Sequence, residues 1–279
     1  MKRKVFFLSD STGMTAENLG KSLLTQFPGI QFESITKPFI DSPEKAQRIA
    51  MEINQEVQVA GARPIVIDTI ISQEVSRIIK QTNCFYIDIF STFLEPLENE
   101  LGVVSAHTVG HHSIFEEETQ MVDSAYMERI EAVHFALAND DGMHLHRYDQ
   151  ADIILVGVSR TGKTPTSVYL GMQFGIKAAN YPLIPDDLEG SNIPNALKDH
   201  TKKLFGLTIR AARLAEIRNE RKPNSTYASL RNCVDEIRLA ETLYRQYGVP
   251  YIDATQLSIE EIAARMLQRA GIERRVSSL

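Results

Sequence analysis

The chain reads as an α/β protein: two α/β units with largely parallel sheets, residues 1–150 and 151–279. The second unit is built around a phosphate-loop pattern of the nucleotide-binding kind. Three observations predict this. Short apolar runs alternate with longer segments of helical period, as in sheets whose strands are joined through helices. Residues 157–164 match G-x-x-x-x-G-K-[ST] in full, between an apolar run and a helical stretch. Charge is also divided: 12 Lys and Arg face 22 Asp and Glu before residue 151, and 18 face 14 from there on, a net −10 against +4. The basic half suits a unit that handles phosphate.

The elements follow in order. Val5-Phe6-Phe7-Leu8 predicts a strand, Ser9-Asp10-Ser11-Thr12-Gly13 a turn, and residues 16–27 a helix. Strands at 32–35, 64–67 and 85–87 alternate with helices at 43–59 and 72–80. Beyond Leu101 the pattern loosens into a surface connection over 102–118. Residues 121–137 return to a helical period, with Met127, Ile130, Val133 and Leu137 on one stripe, and Asn139-Asp140-Asp141-Gly142 ends it. The second unit opens with the strand Ile153-Ile154-Leu155-Val156. Helices at 166–174, 209–221, 227–247 and 258–270 follow, with a short strand at 249–252.

Composition excludes several classes. At 279 residues and 43% hydrophobic content the chain can bury a sizeable core without disulfides or metals. No stretch approaches the roughly 20 apolar residues of a membrane-spanning helix, and Asp10 interrupts the opening apolar run too early for a secretory leader. A cytoplasmic protein with no membrane partner is expected. The overall charge of −6, without a dense Lys/Arg tract, argues against a nucleic-acid partner. Cys84 and Cys233 lack a CxxC pattern and read as reduced thiols.

Each position of Gly157-Val158-Ser159-Arg160-Thr161-Gly162-Lys163-Thr164 has a physical task. The glycines let backbone N–H groups converge on phosphate oxygens. Lys163 supplies positive charge at the transferring phosphoryl group, and the Thr164 hydroxyl is the predicted Mg²⁺ ligand. The helix that follows points its positive end at the phosphates, and Pro165 is tolerated in its first turn. Asp140 and Asp141 are candidates for proton acceptor or metal holder, although Asp-Asp-Gly is also ordinary turn composition. Ser9–Gly13 reads as a helix cap more than a second phosphate site. Asp68 and Asp88 read as strand-end caps. His107, His111 and His112, with His144 and His146, lack a third ligand at fixed spacing, which argues against zinc. Arg210, Arg213, Arg218, Arg221 and Lys222 read as a solvated helix face, or as a surface for an acidic protein substrate.

Four segments carry a resemblance: residues 6–17, Asn139-Asp140-Asp141-Gly142, residues 157–165, and Gly175-Ile176-Lys177-Ala178-Ala179-Asn180-Tyr181-Pro182-Leu183. In this order they resemble the bacterial and plant dikinase regulatory proteins, over about residues 4–270. Gly162, where the pyruvate, phosphate dikinase branch often has serine, and Asn139, where it usually has histidine, place the likeness nearer the phosphoenolpyruvate synthase branch. The resemblance implies a bifunctional enzyme. It would use ADP to phosphorylate a threonine of the synthase, which inactivates that enzyme, and inorganic phosphate to remove the group as pyrophosphate, which reactivates it. It also implies a functional acidic motif, with Lys163 and either Asp141 or Asp140 catalytic. The same chemistry on pyruvate, phosphate dikinase, a phosphate-loop kinase of small metabolites, and a nucleotide-gated binding regulator without chemistry stand as alternatives. A homodimer fits a two-domain α/β enzyme.

Overall fold

A computed structural model describes residues 2–60, 62–106, 119–190 and 192–272. The chain divides into two compact units, Met1–His112 and Ser113–Leu279. His107, His111 and His112, and most of the expected 102–118 connection, lie outside the described residues.

The first unit alternates strand and helix: β1 (Lys2–Ser9), α1 (Met14–Leu24), β2 (Gln31–Lys37), α2 (Pro43–Ala60), β3 (Ile65–Thr69), α3 (Gln73–Lys80), β4 (Phe85–Asp88) and α4 (Ile89–Leu101). Its sheet is parallel in the order β2-β1-β3-β4. Burial on both faces explains the unbroken apolar run of β1. Val5 and Phe7 pack with Ala16 and Ile67 on one side, Phe6 and Leu8 with Ile53 and Val66 on the other. Helix α4 is absent from the sequence reading. Pro96 sits inside it, and Phe93, Leu97 and Leu101 are exposed, so neither propensity nor a buried stripe announces it.

The second unit contains α5 (Thr119–Ala138), β5 (Ile153–Val158), α6 (Lys163–Phe174), β6 (Ala178–Leu183), α7 (Pro185–Glu189), β7 (Leu204–Thr208), α8 (Ala211–Arg221), α9 (Leu230–Tyr247), β8 (Tyr251–Asp253) and α10 (Ile259–Ala270). Its sheet is parallel in the order β6-β5-β7-β8. Ile154, Val156 and Val158 face one core; Ile153 and Leu155 face the other. The division falls at residue 112 and not at 150, because α5 packs on α6. That contact is close. A Cβ on Gly171 of α6 would lie 3.0 Å from the Ala132 carbonyl carbon and the Val133 nitrogen. The buried face of α5 is therefore Ala132, Phe135 and Ala136, and Met127 and Leu137 of the expected stripe are exposed. Small residues such as Gly171 and Ala132 permit close approach of the two helix backbones.

Successive strands lie on opposite sides of β5, making its carboxyl end the point where the strand order reverses. In open parallel sheets ligands bind in the crevice at such a point, and the loop after β5 is residues 159–162. None of the described helices is long and apolar enough to cross a membrane.

Candidate active site

The loop after β5 is held from below. A Cβ on Gly157 would meet the Leu207 carbonyl oxygen at 2.7 Å and the Thr161 hydroxyl at 2.8 Å, so only glycine lets β5 run this close to β7 before turning. The Thr161 hydroxyl donates to the Val158 carbonyl at 3.0 Å and is buried. Arg160, exposed at the apex, takes φ +78°, and Gly162 takes φ +91° as the residue preceding α6. A left-handed conformation is free of cost for glycine and strained for arginine.

Lys163 opens α6 with only 4% of its surface exposed, and its ammonium donates to the Val158 carbonyl at 3.1 Å. Burial pulls its pKa down to about 8; Asp141 and Asp140 oppose the shift, and Arg218 adds to it. The lysine is thus a poorly solvated cation awaiting an anion.

Two short 3₁₀ turns after α5 supply the acidic side. Asp140 and Asp141 lie in the first (Asp140–Gly142), where Asp141 adopts φ +47°. Asp140, half-buried, accepts a hydrogen bond from the Thr164 hydroxyl at 2.8 Å and another from the Asn180 amide. The backbone N–H of Asp141 donates to Asn180 Oδ1 at 2.9 Å, while the exposed Asp141 carboxylate lines a cavity of about 240 Å³. Ser159, Arg160, Gly162, Lys163, Thr164 and Arg221 also line that cavity. The two aspartates therefore differ: Asp140 is tied to the threonine, and Asp141 opens onto the cavity beside the lysine.

Asn180 on β6 fixes this arrangement, and the motif reading did not single it out. It is fully buried; its main-chain N–H donates to the Asn139 carbonyl at 3.2 Å, and its carbonyl accepts from the Tyr148 hydroxyl at 2.9 Å. A polar residue between the apolar positions of Ala178–Leu183 is the sequence signal by which it could have been found. Arg218, which the sequence places on a solvated helix face, is corrected by the structure. It is 1% exposed, not on a solvated face, because Leu214 one turn earlier on the same side of α8 is also buried. Arg213 does pair with Glu216 at 2.9 Å, as a solvated face would.

Other candidates take structural roles. The Asp10 carboxylate accepts the Ile71 N–H at 2.8 Å, strapping the first-unit loop to the end of β3. Asp88 caps α4 through the Ser91 N–H and pairs with Lys80 at 2.9 Å. Asp68 is buried and accepts from the Tyr86 hydroxyl. His144 bonds the Ala138 carbonyl at 2.6 Å, and neither it nor His146 lines the cavity. Among the described residues no three His, Cys, Asp or Glu gather as a metal cage. Cys84 and Cys233 are free thiols.

A buried lysine, a threonine and two aspartates gather at a glycine-containing turn on a parallel sheet, residue types that phosphotransferases in general use. The chain belongs to the kinase/pyrophosphorylase family, whose pattern matches residues 5–267. It is 55% identical over 276 residues to a protein of Pseudomonas fluorescens (strain Pf0-1), covering 99% of each chain. It is 54% identical to one of Pseudomonas aeruginosa (strain LESB58), over 99% of this chain and 98% of that one. A third relative, from Pseudomonas putida (strain GB-1), is 54% identical over 99% of each chain. All three carry the name "Putative phosphoenolpyruvate synthase regulatory protein".

Proposed function

We propose that this phosphotransferase regulates phosphoenolpyruvate synthase by two opposed reactions in the cytoplasm. In one, a threonine hydroxyl of the synthase takes the β-phosphoryl group of ADP, leaving AMP and a proton. In the other, inorganic phosphate takes that phosphoryl group from the threonine, giving pyrophosphate and restoring the hydroxyl. The observation that carries this reading is that Asp141 lines one small cavity with Lys163 and Thr164, while Asp140 is held by the Thr164 hydroxyl.

Residues 157–164 would cradle the phosphates through their N–H groups, with Lys163 releasing the Val158 carbonyl to meet the incoming charge. Asp141 would accept the threonine proton, being the carboxylate open to the cavity. Thr164 and Asp140 offer two hard oxygen donors, already 2.8 Å apart, for Mg²⁺. That ion takes few protein ligands and completes its shell with phosphate and water, so a pair without a cage suits it. When bound, it would neutralise charge on the transferring group. The positive end of α6 favours free phosphate as it favours ADP, so one cradle serves both directions.

The test uses ADP labelled at the β-phosphate with purified synthase. Label entering the synthase, leaving as pyrophosphate on addition of phosphate, and absent with Lys163→Ala is the expected result. An unlabelled synthase together with a labelled pyruvate, phosphate dikinase would overturn the choice of target. Label in neither protein would overturn protein phosphorylation altogether.

A further inference from the structure

The loop contains one strained peptide, and a buried arginine holds it. Arg160 sits at φ +78°, a conformation that a non-glycine residue leaves when nothing prevents it. Turning over the peptide plane between Ser159 and Arg160 would relieve it, because that motion changes ψ of Ser159 and φ of Arg160 and little else. The turned-over peptide would also reverse its dipole. In a trans peptide the N–H points opposite to the C=O, so the side on which Ser159 O lies decides where the Arg160 N–H is aimed.

Ser159 O lies on the side of Arg218. The guanidinium donates to it twice, from Nη2 at 3.1 Å and Nε at 3.4 Å. The same group is over-determined. Nη2 also pairs with Glu236 at 2.6 Å, Nη1 donates to the Tyr227 carbonyl at 3.1 Å, and the guanidinium stacks over the Tyr227 ring at 4.2 Å. The Tyr227 hydroxyl donates to Ser159 Oγ at 3.0 Å, and Asn232 orients Glu236 at 2.6 Å. Arg218 of α8 thus holds the Ser159 carbonyl oxygen, and Glu236 of α9 holds Arg218. A rigid planar fork that cannot lose its charge suits such a task.

We infer that Arg218, seated by Glu236 and Tyr227, pins the Ser159–Arg160 peptide in the orientation that presents N–H and withholds C=O from a bound phosphate. Arg218 is on this view a positioning residue. Its guanidinium acts on the loop carbonyl, and the loop acts on the anion. The inference rests on the reading of residues 157–164 as an anion cradle. It adds the element that keeps the cradle open before ligand arrives.

The test compares glycine and alanine at position 160, two residues that lose the same charge but differ in tolerance of positive φ. With Arg218 in place, Arg160→Gly and Arg160→Ala should bind ADP and pyrophosphate within about twofold of each other, since the clamp holds either residue. In the background Arg218→Met with Glu236→Gln, which leaves no unpaired buried charge, the glycine version should bind about fivefold more tightly. If that background does not fold, Arg218→Lys takes its place, with one donor head in place of the fork. Dissociation constants come from calorimetry on the full chain, and thermal melting reports folding separately. A merely structural Arg218 would lower melting and leave the glycine-to-alanine ratio the same in both backgrounds, which would overturn the inference. An unsubstituted chain that binds neither ADP nor pyrophosphate would overturn the anion cradle itself, and this inference with it.

Discussion

The depressed pKa of Lys163 makes a prediction whose size follows from the structure. Burial holds the free ammonium at about 8 against an ordinary value of 10.5. A bound di- or triphosphate supplies the counter-charge that the apolar surroundings lack, so binding raises the pKa and takes up a proton wherever the free lysine is neutral. Affinity is then flat below pH 8 and falls by up to tenfold per unit above it, about 1.4 kcal/mol each. ADP should bind roughly tenfold more weakly at pH 9 than at pH 7, with about half a proton taken up near pH 8. Folding stability runs the other way. The unfolded chain holds this proton up to pH 10.5 and the folded chain only to about 8, so this group's contribution to stability rises with pH between those values. Calorimetry from pH 7 to 9.5, in buffers of different ionisation enthalpy, measures both affinity and proton uptake. This range also avoids the phosphate's own titration near pH 6. Affinity that stays constant to pH 9.5, or an equal decline in Lys163→Ala, would refute a buried lysine charged by its ligand.

Three further outcomes are expected. Gly157→Ala places a methyl 2.7 Å from the Leu207 carbonyl of a paired strand, which cannot retreat, so it should cost about 1–3 kcal/mol; melting lowered by roughly 2–4 °C per kcal/mol checks it. Asn180→Ala removes a partner from the Asp140 carboxylate and from the Asp141 N–H. Mg²⁺ titration of ADP-dependent turnover should need a roughly 10–100-fold higher Mg²⁺ concentration for half-maximal rate, the range seen when a ligand's orienting partner is lost. Asp68→Asn should stabilise the first unit at pH 8 more than at pH 5. Burial raises this carboxyl to about 7 from an ordinary 3.8, so the folded state holds a proton that the unfolded state loses, and stability falls as pH rises across that window. Urea titrations at the two pH values decide it.

Much of this was legible in the residues. Runs buried on both faces, such as Ile153–Val158, reveal a parallel sheet because nothing polar interrupts them. The turn after β5 is legible because glycines at fixed spacing between an apolar run and a helical stretch mark a strand-to-helix turn. What the sequence hid has physical causes. The strands β6 and β7 are missing from the element-by-element reading, because alanine, asparagine, proline and glycine within them break the usual strand signal. Asp140 and Asp141 are adjacent and chemically identical, and only partners 24 and 40 positions away distinguish them. Arg218 sits among other charges on α8, and its burial follows from α9 folding over it.

The two units share one strand order, β2-β1-β3-β4 and β6-β5-β7-β8, so in each the order of the parallel strands reverses at its first strand. Topology alone would make a crevice at the end of β1 as readily as at the end of β5. The side chains decide between them. After β1, Asp10 spends its carboxylate on the Ile71 N–H, and the Ser9 and Ser11 carbonyls accept from the Ile40 and Phe39 N–H groups, so the loop is stitched to its own neighbours. No lysine follows Gly13, where Met14 opens the helix. After β5 the equivalent stitching comes from behind, through Thr161 and Arg218, and the front of the loop is left to Lys163 and Asp141. The two loops of one repeated topology thus differ in which side their own hydrogen bonds are made on.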